Sequence, residues 1–188
     1  MRVLKKLAAG LLAASVLPVA AFAATLGGVD YATQYDYREF FNATDGKLFR
    51  VVLAGEPFSG LPPADVARRL LPQMQANRPQ PRLTFTYDST EPRRPDYRVV
   101  VVFNAANNLG ADSVCATGGT RFRQGTPGRV HVFLIYCRND QALSQVTAWS
   151  NASGPDDPRM GELFKLAFAE LFSDAMGLRP QNGATTIR

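Results

Sequence analysis

Hydrophobic residues recur along this chain in two periods. From Tyr97 to Phe103 nearly every position is β-branched or aromatic, which predicts a central strand covered on both faces. Arg129 to Cys137 reads as a further strand. Arg82 to Tyr87 alternates polar and apolar residues, and Gln145 to Trp149 adds a shorter strand pattern. Elsewhere the spacing is helical. Val66, Leu70 and Met74 recur every four residues after Pro62-Pro63, with Pro72 expected to kink or end that helix. Met160, Leu163, Phe164, Ala167, Phe168, Leu171 and Phe172 follow an Asp157-Pro158 start, the clearest helix in the chain. Asp45-Gly46, between Phe40–Thr44 and Lys47–Leu53, reads as a type I′ hairpin turn. Asn104 to Gly128 is long, glycine-containing and without period. The order ββ-α-ββ-β(β)-α predicts an α+β domain, in which an antiparallel sheet of about five or six strands carries two helices on one face.

The first residues follow a different logic. A basic start with Arg2, Lys5 and Lys6 precedes the apolar stretch Leu7–Leu17, and Ala21-Phe22-Ala23 has the small-x-small form of an export cleavage site. Residues 1–23 are therefore expected to be a signal peptide cut after Ala23, with cleavage after Ala21 as the alternative. The stretch is too short and too interrupted by Pro18 to span a bilayer, which needs about 20 apolar residues. No transmembrane segment is expected after its removal. Residues 24–36 read as a flexible arm, 37–180 as a single α+β domain and 181–188 as a polar tail.

Charge changes meaning once the leader is set aside. The full chain carries 21 Lys+Arg against 16 Asp+Glu, a net +5, but Arg2, Lys5 and Lys6 belong to a leader without carboxylates, leaving +2. That is no nucleic-acid signal. Export also bears on the two cysteines. An exported pair is expected to form a disulfide, here Cys115–Cys137; the alternative is a thiol nucleophile with His131 as its base. His131 and Cys137 share a strand face but lie about 20 Å apart at about 3.3 Å per residue.

Other chemistry is sparse. His131 is the sole histidine. Thr117-Gly118-Gly119-Thr120-Arg121-Phe122-Arg123 combines a glycine loop with two guanidiniums, Arg121 and Arg123, that suit an anion, although no helix is expected to start there. Asp156 and Asp157 are explained by helix capping. Tyr31, Tyr35 and Tyr37, with Phe40 and Phe41, form an aromatic strip suited to docking a partner. Tyr31, Tyr35, Tyr37, Arg121, Arg123 and His131 are thus the candidate binding residues, with no catalytic or metal set and no cofactor expected.

Gly55-Glu56-Pro57-Phe58 after the expected hairpin, Tyr97 to Asn104, Cys115 with a strand-borne Cys137, and the Asp157–Phe172 helix together resemble a group of small uncharacterised exported proteins of Gram-negative bacteria. The resemblance spans most of the mature chain. It implies a periplasmic location and carries over no active-site residues. The expectation is a periplasmic or secreted, non-catalytic module that binds an envelope protein or other envelope component, with a small hydrolase using His131 or the Cys115 loop as the alternative.

Overall fold

The computed structural model describes residues 24–88 and 95–174; the expected signal peptide and polar tail lie outside them. In chain order the elements are β1 (Thr25–Tyr31), α1 (Tyr37–Thr44), β2 (Leu48–Ala54), α2 (Pro63–Ala76), β3 (Thr84–Thr86), β4 (Tyr97–Phe103), α3 (Ala111–Thr117), β5 (Val130–Arg138), β6 (Gln141–Ser150) and α4 (Pro158–Leu171). The strands form one six-stranded sheet in the order β1-β6-β5-β4-β2-β3.

The two apolar runs sit together inside the sheet, because only interior strands are covered on both faces. β4 and β5 pair antiparallel with Val99 opposite Tyr136 and Val102 opposite Phe133. On one face, Val99, Val101, Phe103, Val132, Leu134 and Tyr136 join Phe40 of α1, Leu70 and Met74 of α2, and Phe164 and Phe168 of α4 in the larger core. On the opposite face, Val100, Val102, Phe133, Ile135 and Cys137 meet Ala105, Leu109, Val114 and Cys115 in a smaller one. The periodic positions of α4 are all buried, and Asp157 caps the helix by accepting the Arg159 N–H.

The α+β class agrees with the sequence, but the sheet is mixed rather than antiparallel. β2 pairs parallel with both β3 and β4. The helices also differ from the expected two on one face. Among the described residues there are four, with α1, α2 and α4 on the larger core and α3 on the other side. The parallel pairing comes with the α2 crossover between β2 and β3, and the two added helices are α3 and Tyr37–Thr44. Asp36 accepts the Arg38 N–H and starts a helix, which places Phe40 and Thr44 on one buried face at i and i+4. Gly46 still turns the chain with φ +68°, but it joins a helix to β2 instead of two strands. Without a hairpin partner, β2 reaches its neighbours through the α2 crossover.

Three local expectations change as well. The segment read as an arm contributes β1, paired antiparallel with β6. α2 runs on to Ala76 and does not end at Pro72, which lies on the solvent side where backbone groups it leaves unbonded meet water. The long irregular region contains α3, closed by Gly118 at φ +69°.

Tyr136 shows the cost of such a core. Its ring is fully buried against Phe40, Phe172 and Tyr97, yet its hydroxyl has no hydrogen-bond partner among the described residues. A buried hydroxyl left unbonded costs about 1–3 kcal/mol. Tyr136→Phe is therefore expected to unfold at equal or higher urea concentration than the parent protein; a marked loss of stability would show that the hydroxyl is bonded.

Candidate functional site

The smaller core covers only part of its sheet face. α3 is seven residues long and lies over β5 and the start of β6, where Asp112 accepts the Ala142 N–H at 3.3 Å and two further contacts hold its C-terminal half. The Cys115–Cys137 disulfide ties it to β5, with the Cα atoms 5.6 Å apart. Arg98, opposite Cys137 in the register, donates to the Cys115 carbonyl at 2.6 Å and to Asp96 at 2.8 Å. The sulfurs are thereby committed to each other, and neither is a free thiol.

Beyond α3, toward β6 and β1, the same face opens into a groove of about 780 Å³. Strand pleating builds its floor: His131 and Phe133 alternate along β5, Thr147 lies opposite Phe133 on β6, and Asp30 of β1 lies opposite Gln145. The segment leading into α3 supplies the far wall with Asn107 and Asp112. The lining offers amides, the Thr147 hydroxyl and two carboxylates, with no Lys or Arg among it. It suits a polar ligand that is uncharged or cationic.

His131 is placed on this floor, and its surroundings set its chemistry. Its ring stacks on Trp149 at 6.5 Å, and the Arg129 guanidinium lies 5.2 Å over the same indole. Burial, followed by the nearby Arg123 and Arg129 charges, pushes the imidazole down to about 4. The ring is neutral at pH 7. Its buried Nδ1 has no hydrogen-bond partner among the described residues, which a neutral ring tolerates at far lower cost than a charged one.

Of the other candidate residues, the structure brings only Arg123 near His131. Arg123 Nη1 donates to the Asn107 side chain at 3.3 Å and Arg121 Nη2 to the Asn108 carbonyl at 3.0 Å, so both hold the turn before α3. Gly118 follows the carbonyl end of α3, so no set of free helix N–H groups faces the glycine loop. The tyrosines belong to the opposite face. Tyr35 is buried and donates to the Ser173 carbonyl at 3.0 Å, Tyr31 donates to the Glu170 carbonyl, and Tyr37 donates to the Gln80 carbonyl at 3.2 Å. Burial pushes the Tyr35 hydroxyl well above its usual range.

A second polar constellation joins α1 to the sheet. Arg138 Nη1 contacts both Glu39 oxygens at 2.8 Å, and the Tyr97 hydroxyl donates to Glu39 at 2.5 Å. Burial alone would raise the Glu39 carboxyl, but bonds from Arg138 and Tyr97 outweigh it and hold it below its usual range. Burial and the bond to Glu39 push the Tyr97 phenol up to about 12. These groups satisfy one another and anchor α1. Gln145, Thr147, Asn107 and Asp30 were not legible as a site, because only cross-strand register gathers them.

No protein-family model matches the sequence, and no curated protein matches it significantly. Among solved structures, the chain is similar to a PelC variant dodecamer from Paraburkholderia phytofirmans, at 12% identity and a TM-score of 0.42, over 81% of this chain and 99% of that one. No helix among the described residues is long and apolar enough to cross a membrane.

The depressed His131 value has a definite consequence. Between its ordinary value of about 6.5 and about 4, the unfolded chain takes up a proton there that the folded chain refuses. Stability is therefore lost as pH falls through that window, and His131→Gln is expected to flatten this part of the profile. Imidazole proton shifts in the folded protein check it directly: His131 should stay neutral near pH 5.5, and half-titration near 6.5 would contradict the burial argument.

Proposed function

We propose that this chain is an exported, non-catalytic binding module of the cell envelope, holding a polar ligand or the polar surface of a partner in the groove beside α3. The observation that carries this reading is the groove itself: an open, polar and net acidic cleft on a rigid sheet floor. The disulfide suits an oxidising compartment, and the tripartite leader, followed by Ala24, suits delivery to the periplasm. A hydrolase working through His131 would need that imidazole as a base, and a value near 4 makes it a weak one at neutral pH.

Complementation of a deletion strain separates the two readings. Asn107→Trp with Gln145→Arg fills and recharges the groove from partly or fully exposed positions and is expected to abolish rescue, although the protein accumulates in the periplasm starting at Ala24. His131→Gln, which keeps a polar side chain on the groove floor and removes only the imidazole base, is expected to rescue. Rescue by the groove variant and failure of His131→Gln would replace the binding reading with catalysis at His131.

A further inference from the structure

One end of the sheet carries a surface unlike the groove. β4 leaves the sheet at Phe103, opposite Val132, and the ribbon Arg121–Arg123 is tied beside that exit. The Ala106 N–H donates to the Arg121 carbonyl at 2.9 Å and the Arg123 N–H to the Asn104 carbonyl at 2.8 Å, on either side of the Ala105–Phe122 bridge. Arg129 enters β5 at the same end, from a turn in which its N–H donates to the Thr126 carbonyl at 3.0 Å. Residues 121–129 are all exposed, yet this backbone bonding makes the ribbon a fixed part of the fold.

Charge sets this end apart. Between Asp112 and Asp140 the chain contains no Asp or Glu, while Arg121, Arg123 and Arg129 gather here. None of the three makes an ion pair among the described residues. Arg121 and Arg123 each commit one nitrogen to the turn before α3, and Arg129 lies over Trp149. A guanidinium has five N–H donors, so each keeps several for an external anion. Phe122 is the second oddity. Its side chain is 50% exposed, with one part of the ring resting where a Cβ at Gly55 would stand 3.0 Å away.

A fixed phenyl ring open to water, flanked by unpaired guanidiniums, fits a surface that is anionic outside and apolar beneath. A soluble acidic partner would satisfy the arginines and leave the ring unexplained. A bilayer interface serves both, with phosphates for the guanidiniums and the headgroup–acyl boundary for the ring. We propose that the Arg121–Phe122–Arg123 ribbon, together with Arg129, docks this end of the protein on an anionic phospholipid surface, with Phe122 entering the headgroup–acyl boundary. None of these four residues lines the groove beside α3, so either site stands if the other fails.

The test is cosedimentation of the protein beginning at Ala24 with sucrose-loaded vesicles of phosphatidylcholine, alone or mixed with phosphatidylglycerol. The expected result is saturable partitioning onto the mixed vesicles that falls as salt is added, with little onto the neutral ones. Arg121→Gln combined with Arg129→Gln should weaken it by roughly 25-fold, at about fivefold per cation lost. Arg121→Lys with Arg129→Lys should retain most of the binding, which separates loss of charge from loss of fold. Phe122→Ser should weaken it by about fivefold while keeping the folded NMR spectrum. Several results would overturn the proposal: no partitioning onto mixed vesicles at low salt, equal partitioning onto neutral ones, or full binding retained by Phe122→Ser or by the double Gln variant. So would soluble polyglutamate binding as tightly as the mixed vesicles and indifferently to Phe122→Ser, which would assign the patch to an acidic protein.

Discussion

β4 and β5 are apolar on both faces, and every other feature of the chain answers to the need to cover both. One face is easily served, since α4 and α2 bring amphipathic stripes and α1 adds Phe40. The other face has only the segment between β4 and β5 to cover it, and that segment contains a helix of just seven residues. So short a helix has little intrinsic stability in water. The Cys115–Cys137 bond and the Arg98 contact to the Cys115 carbonyl press it onto Val100, Val102 and Ile135 from one end. A cross-link of this span contributes roughly 3 kcal/mol, largely by restricting the unfolded chain. In an oxidising compartment that tether is permanent, which makes a minimal second layer workable.

The groove follows from the same economy. A longer helix would have covered more of β6 and β1. With α3 reaching only β5 and the start of β6, His131, Phe133, Gln145 and Thr147 remain as the floor of a cleft whose wall is held by Arg121 and Arg123. The two guanidiniums read from the sequence as anion ligands thus act as struts. Burial, followed by the Arg123 and Arg129 charges, keeps the His131 imidazole on this floor neutral.

Long single-period segments were legible. α4 was marked by its Asp157-Pro158 start and seven periodic apolar residues, and β4 and β5 by mostly apolar runs; the disulfide followed from the cysteine count and the expected export leader. What the sequence concealed was decided by competition over a few residues. Phe40 and Phe41 suit a strand as well as a helix, and the Asp36 cap tipped Tyr37–Thr44 to helix, which converted an antiparallel hairpin into parallel crossovers. Gly27-Gly28 hides β1, since two glycines weaken any strand pattern; they sit in a register shift between Leu26 and Val29. Tyr31, Tyr35 and Tyr37 resembled a docking strip because polar tips and apolar rings look alike whether buried or exposed, and their hydroxyls turn out to be bonded to backbone carbonyls within the chain. His131 was set on the same strand face as Cys137 by alternation, and both lie on the side of the smaller core. The groove around His131 was not legible, because Asp30, Asn107 and Gln145 converge only through pairing across three strands and a loop.

The central claim is that the α3 layer is a separately tethered cover whose removal opens one face and leaves the other intact. Amide hydrogen exchange on the folded protein before and after reduction of Cys115–Cys137 tests it most directly. The account predicts that protection falls in α3 and in the Asn104–Gly128 segment, while α4, α2 and the central amides of β4 and β5 keep theirs. Equal loss of protection in α4 and α3 would contradict it, since both layers would then form one cooperative unit; unchanged protection of α3 after reduction would contradict it as well, by showing that the helix needs no tether.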